Sequence, residues 1–492
     1  MTDTTIAASE PAGGTDTAAS RARWIALLVL CLGDLMIVLD TTIVNVALPS
    51  IRDDLGFSQT SLAWVVNAYL LTFGGFLLLG GRLGDLYGHR RLFIIGITLF
   101  TLASLACGLA VSQGLLVAAR AAQGIGGAIV SAVALSLLMI LFSEPAERAK
   151  AMGIFGFVLS GGGTAGVVLG GVLTDTLSWH WIFLVNVPIG VAVMFLSSSL
   201  LPGERGTASS GLDIAGAVTV TAALMIAVYA IVNGNDVGWT TVRTIGLLAA
   251  AVVLLAVFVA IEARTRFPLM PLSLFRLRNI VTANVLGILM AAGLFASFFL
   301  SALYLQLVLG YTPLEVGFAY LPSTIVWGSV SLFASDKLVM RFGIRPPLVG
   351  GLLLMTAGVL LFARAPVDGS FAADVLPSML LQGLGAGIAF NPILLAAMSD
   401  VAPQDAGLAS GVVNTAFMMG GALGLAILAS LAGSRTTSLL ASGHARLDAL
   451  AGGYHLAFLV GALFAVAAAV IGGALLRPRM SAPPVHEPAA AG

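Results

Sequence analysis

The sequence has 492 residues, 59% of them hydrophobic and only 9% charged, where soluble domains run nearer 45–50% and about 25%. That balance excludes a water-soluble enzyme and indicates a chain that crosses a membrane many times. Lys plus Arg and Asp plus Glu are both 23, so no basic surplus points to nucleic acid. Cys31 and Cys107 lie in apolar runs, with neither the spacing of a disulfide framework nor that of a metal site. The 58 glycines suit helices packed backbone to backbone in lipid.

In chain order, residues 1–20 are polar and read as a disordered tail. Arg21 and Arg23 then precede an apolar run long enough to span, which reads as an uncleaved first helix. Spanning runs fall near 24–45, 60–80, 92–111, 115–141, 151–173, 181–201, 212–232, 244–262, 279–302, 313–335, 347–364, 372–398, 408–432 and 454–476. Each is near the ~20 residues a bilayer requires. Counting Lys and Arg with the N-terminus inside leaves 17 on the inner side, 5 on the outer and Arg120 within a span. Both termini are therefore expected in the cytoplasm.

The stretch Gly80 to Arg91, GGRLGDLYGHRR, is a short basic turn between two apolar runs. It reads either as a loop that only fixes topology or as a built device. In the second reading Gly81 and Gly88 allow close approach, and Asp85 pairs with Arg82 or Arg90 or faces a helix N-terminus. Shifted by 255 residues, Gly81 to Arg91 falls on Asp336 to Pro346, so that Gly88 meets Gly343 and Arg90 meets Arg345. A second echo pairs Gln123 to Gly126 with Gln382 to Gly385. Six helices thus recur after an insertion of two. The expected divisions are a 21–203 bundle, an inserted pair within 204–266, a 267–478 bundle and a disordered 479–492 tail. Repeated halves around a shared site are the plan of alternating-access transporters.

At these residues the chain resembles a major facilitator superfamily transporter, of the fourteen-span drug:proton antiporter branch. Gly81 to Arg91 is similar to the family's loop between helices 2 and 3, and Arg120, Gln123, Gly124 and Gly126 to its helix 4 motif. Leu39 to Pro49 resembles the helix 1 signature, and Trp179 to Phe183 with Asn186, Pro188 and Gly190 the helix 6 entry. The resemblance implies an all-α integral membrane fold of two six-helix bundles plus two inserted helices. It implies a latch of Gly81, Arg82, Asp85, Gly88 and Arg90 that joins the halves. Three positions depart from the pattern. Leu86 stands where the loop has Arg, Val167 follows Gly166 where the helix 5 motif has Pro, and Ala416 and Phe417 follow Asn414-Thr415 where relatives carry Arg. Gly124, Gly162, Gly166 and Gly170 remain for helix packing.

Ionisable groups inside spans are costly, and those that persist usually line a cavity and work. At ~1.5 Å per residue, Asp40 stands ~24 Å up helix 1 and Arg120 ~8 Å below the outer face on helix 4, at similar depth. They are expected to pair, with Asp40 exchanging a proton as the pair opens and closes, or to form a fixed structural pair. Asp34, six residues from Asp40, is expected on a different face, either as an uncoupled acid in an aqueous cavity or as the next candidate for coupling. Asn45, Gln123, Tyr304, Gln306, Trp327, Asn391, Asn414 and Phe417 are the candidates for a substrate cavity. The polar ones read equally as interhelical glue. No G-x-x-x-x-G-K-[ST] is present, no catalytic constellation appears, and no cofactor or metal is expected.

The reading is a proton-coupled exporter of amphipathic or cationic drugs in a bacterial cell membrane, its partners a small amphipathic substrate, protons and lipid, working as a monomer. A dedicated metabolite or lipid exporter is the alternative within transport. A membrane receptor or enzyme scaffold is the alternative of another class. The inserted helices are expected to lie peripheral to the substrate route.

Overall fold

The computed structural model describes residues 13–142, 144–201, 203, 213–401 and 406–476. The expected tail at 479–492 and most of the linker before the inserted pair lie outside them. The described residues form sixteen α-helices and no strand. The first set is α1 (Gly13–Leu55), α2 (Trp64–Tyr87), α3 (His89–Gly108), α4 (Gln113–Leu141), α5 (Pro145–Thr176), α6 (Trp181–Leu184) and α7 (Asn186–Leu200). An inserted pair follows, α8 (Ile214–Val237) and α9 (Val242–Arg264). The second set is α10 (Arg278–Leu307), α11 (Pro313–Phe333), α12 (Ser335–Phe342), α13 (Arg345–Phe362), α14 (Leu376–Met398), α15 (Ala406–Ala441) and α16 (Arg446–Leu475). Among the described residues fourteen stretches are long and apolar enough to span a bilayer, with α6 and α7 together making one of them. α1 begins at Gly13, inside the stretch expected as a tail.

The sequence repeat is also a repeat of packing. α1 packs on α5 and α7, α4 on α2 and α3, and α3 on α7. In the second set α10 packs on α15 and α16, α14 on α11 and α13, and α13 on α16. The two sets meet along two crossed seams, α2 against α15 and α5 against α11. Glycines set the second seam. A Cβ on Gly171 would lie 2.7 Å from the Pro313 carbonyl, and one on Gly317 would lie 2.9 Å from that of Val167. Gln306 adds a hydrogen bond between the sets, from its amide to the Val46 carbonyl at 2.9 Å.

The turn expected from Gly80 to Arg91 is a one-residue joint. α2 continues to Tyr87, α3 starts at His89, and Gly88 alone links them at φ +91°. Gly81, Arg82 and Asp85 therefore ride on the last turns of α2. Gly343, the counterpart of Gly88, joins α12 to α13 at φ +78°. Both angles fall where a Cβ is strained, which explains a glycine at each.

The inserted pair is not a free appendage. α8 packs on both α2 and α15 and so covers the seam between the sets. α9 packs on α8, and only 17% of its most apolar stretch is buried, as suits a helix turned to lipid.

Candidate functional site

Helix 1 of the first set carries two buried acids, and α4 supplies the groups that meet them. Arg120 and Asp40 are 1% and 0% exposed. One guanidinium nitrogen donates to Asp40 Oδ2 at 2.5 Å and to Gln123 Oε1 at 2.7 Å, while Nε donates to the Val65 carbonyl at 2.8 Å. The guanidinium also lies over the Tyr69 ring, 4.4 Å from its centroid, and 5.6 Å from that of Phe183. The other carboxylate oxygen, Asp40 Oδ1, accepts from Gln123 at 2.6 Å and from Asn186 at 3.2 Å. Gln123 donates as well to Ser104 at 2.7 Å. The pair expected from depth alone is thus the centre of a hub that ties α1, α2, α3, α4 and α7 together.

Two features make the hub possible. Glycine at 124 lets α2 come so near that a Cβ there would collide with Thr72 and the Tyr69 carbonyl. The break between α6 and α7 at Val185 places Asn186 at the head of α7, facing α1. Neither Asn186 nor Ser104 was expected as a partner of the pair. Asn186 belongs to the helix 6 entry motif, which was the available signal; Ser104 gave none.

Asp34 is held differently. It is 4% exposed, and Oδ1 accepts one hydrogen bond, from Ser131 of α4 at 2.6 Å. Oδ2 is buried with no partner, and no cation pairs with this acid among the described residues. Six residues apart on α1, the two acids meet α4 at different points. α4 runs antiparallel to α1 and meets Asp40 near its start and Asp34 eleven residues later. Gly162, Gly166 and Gly170 of α5 close the far side of α1. Their Cβ positions would meet Leu35, Thr42 and the Ile43 carbonyl respectively.

The proposed latch is arranged otherwise than expected. Asp85 pairs with His89, Nε2 to Oδ1 at 3.3 Å, and its side chain is half exposed. Arg90 donates to the Ser198 carbonyl of α7. Neither Arg82 nor Arg90 forms an ion pair with Asp85, and among the described residues Asp85 makes none with the second set.

The eight substrate candidates are held by different neighbours. Asn45 donates to the carbonyls of Thr41 and Thr42 in its own helix. Gln123 belongs to the hub and Gln306 to the seam between the sets. The Tyr304 hydroxyl donates to the Pro366 carbonyl at 2.6 Å, and its ring packs edge-on to Phe362. Asn391 donates to the Ser331 carbonyl at 3.0 Å. Phe417 is packed edge-on between Phe295 and Phe390, and Asn414 is half-buried on α15. Trp327 lines a small cleft with Phe298, Tyr320, Ser297 and Gln382. Among the described residues no cluster of three or more His, Cys, Asp or Glu is placed to hold a metal.

Comparison with known proteins gives these features a family setting. The profile of the Major Facilitator Superfamily matches residues 30–425. The chain is 39% identical over 454 residues to the puromycin resistance protein pur8 of Streptomyces alboniger, covering 90% of each. It is 38% identical over 462 residues to the cephamycin export protein CmcT of Amycolatopsis lactamdurans, covering 93% of this chain and 94% of that one. The solved structure of an auto-inhibited POT family peptide transporter aligns with a TM-score of 0.65 at 16% identity, over 95% of this chain and 99% of the other. That last likeness is one of fold.

Proposed function

The chain belongs to the major facilitator superfamily, and on that premise we propose that it exports antibiotic-like amphipathic molecules from a bacterial cell in exchange for protons. It is a secondary transporter and not an enzyme. The two relatives compared above, which share most of its length, are named for antibiotic resistance or export. The two sets of helices provide the repeated halves that alternate access requires. Positive residues orient both ends of the chain to the cytoplasm, and a single chain is the working unit.

The observation that carries the proton part is the contrast between the two acids of α1. Asp40 accepts from three different side chains, one of them a permanent cation. An acid held in that way is a fixed brace. Asp34 has one neutral donor and an open oxygen, in a place where an unpaired charge is expensive. Such a group changes its proton when the surroundings change, as they do when the halves rock and water reaches one side. Asp34 therefore takes the exchanging role that was expected first of Asp40, and the Asp40–Arg120 pair keeps α1 and α4 in register so that Ser131 faces Asp34. An incoming cationic molecule competes with the proton for the same carboxylate.

The test is a susceptibility panel in an efflux-deleted bacterium expressing the chain, with and without a proton uncoupler. Wild type should raise resistance to several amphipathic antibiotics, and the uncoupler should remove that gain. Asp34→Asn should reach the membrane in normal amount and lose it. Resistance that survives the uncoupler would refute proton exchange.

A further inference from the structure

The inserted pair carries two acids that the transport reading leaves unused. Asp213 is the N-cap of α8, and Glu262 lies in the last turn of α9. They are 4% and 3% exposed. Each spends one oxygen on a backbone amide. Asp213 Oδ1 accepts from Gly216 at 2.7 Å, and Glu262 Oε2 accepts at 3.0 Å from Met270, in the segment that leads to α10. The other two oxygens, Asp213 Oδ2 and Glu262 Oε1, are buried with no partner. They converge on one point. A Cβ on Gly216 would lie 2.6 Å from the first and 2.9 Å from the second, and the two side chains are within hydrogen-bonding reach of each other. Glycine at 216 leaves them the room to meet.

Among the described residues no cation balances the pair. α2 turns Leu79 and Leu83 to this end of α8, in a cluster with Ala217 and Leu269. Arg82 of α2, Arg264 of α9 and Arg266 beyond it form no ion pair with either acid. Arg264 is exposed, and Arg266 lies over the ring of Phe267. Two carboxylates this close and cut off from water do not both stay charged. One proton between them removes the repulsion and gives both idle oxygens a partner, since a protonated carboxyl donates. The helix ends decide which acid carries it. A negative charge is favoured at the start of α8 and disfavoured at the end of α9, so the hydrogen rides on Glu262 and is donated to Asp213.

We propose that Asp213 and Glu262 form a proton-binding site, separate from Asp34, in which one hydrogen bridges Glu262 Oε1 and Asp213 Oδ2. The site is a clasp. It joins the start of α8 to the end of α9 and, through Met270, to the segment that enters the second set. Loss of the proton leaves two facing carboxylates, whose repulsion parts the helix ends. Because α8 covers the α2–α15 seam, the clasp makes that cover responsive to the supply of protons at its own face of the membrane. The site stands independently of the export reading.

Infrared spectroscopy of the full chain in nanodiscs reads the proton, and trypsin reads the clasp through cleavage after Arg264 and Arg266. Glu262→Gln keeps an N–H donor for Asp213 and should therefore keep the fold. At neutral pH wild type should show one protonated-carboxyl stretch that Glu262→Gln lacks. As the pH is raised, cleavage of wild type should accelerate beyond that of either variant, by about tenfold for each pH unit over which the proton leaves. Glu262→Gln and Asp213→Asn should not share this acceleration, because each leaves a single carboxyl with nothing to repel it. A wild-type spectrum identical with that of Glu262→Gln would overturn the proposal, as would equal acceleration in all three proteins. A missing stretch together with cleavage slowed by added sodium or magnesium would make the pair a metal-ion site and overturn it as well. Neither readout involves export, so a failure here is distinct from a failure of the transport assay.

Discussion

Asp40 and Arg120 can be removed separately, and the two losses are not equivalent. Asp40→Asn leaves a guanidinium at 1% exposure that cannot shed its proton. It keeps the Val65 carbonyl, Gln123 Oε1 and the Tyr69 ring, but its counter-charge is gone. Breaking a buried pair on one side costs about 3–5 kcal/mol, and Asp40→Asn should fall in that range. Arg120→Met leaves a carboxyl that still accepts from Gln123 and Asn186 and has the option of taking up a proton, so the loss should be smaller, about 2 kcal/mol. The double variant removes both charges, and its loss should be smaller than the sum of the two by about 1–3 kcal/mol, as coupled neighbours show. SDS-induced unfolding of the purified protein, followed by tryptophan fluorescence, measures all four forms. Additive losses, or an Arg120→Met more damaging than Asp40→Asn, would refute the view of the pair as a buried brace.

Other expectations follow from single contacts. Asp34→Asn should unfold within about 0.5 kcal/mol of wild type, since its amide oxygen can still accept from Ser131, while proton release on adding substrate to the purified protein disappears; unchanged release would clear Asp34 of the coupling role. Gly170→Leu should cut the amount of folded protein in the membrane, because even its Cβ would lie 2.7 Å from the Ile43 carbonyl; normal yield in a detergent-solubility assay would show that α5 has room to shift. Asp85→Asn should leave thermal stability unchanged, because a half-exposed contact with His89 contributes little, yet reduce efflux if Asp85 latches the halves in the opposite state. Wild-type efflux from that variant would sink the latch.

Much of this was legible in the sequence because cost makes it so. A bilayer demands long apolar runs, and all fourteen fall on spanning helices of the described residues, although helices ending at Leu55, Tyr87 and Ala441 and the one starting at Arg446 run seven to ten residues past the apolar stretch. An arginine inside a span needs an acid, and depth along α1 and α4 was enough to name Asp40. Glycines at 162, 166 and 170 recur every four residues and mark the face that α1 touches. What escaped was the identity of neutral partners. An asparagine or glutamine in a span announces that it requires a hydrogen bond, not where it finds one. Gln306 and Asn391 both spend theirs on backbone carbonyls of other helices, which leave no trace in a side-chain pattern. The joint at Gly88 was misjudged for a related reason. A helix that runs past the apolar zone into Arg82 and Asp85 no longer carries the hydropathy by which spans are recognised.

The two acids of α1 show why position alone does not assign a role. Both are buried, both reach α4, and a reading by depth favours the one beside the arginine. Their neighbours separate them. The carboxylate with the richest set of donors is the one least free to change, while the acid with an open oxygen is the one whose state depends on what next comes near it. Five side chains hold the hub together, and that rigidity is useful only if something beside it moves. Asp34 meets α4 at Ser131, eleven residues on from the arginine, so the brace between the same two helices sets its position without fixing its charge.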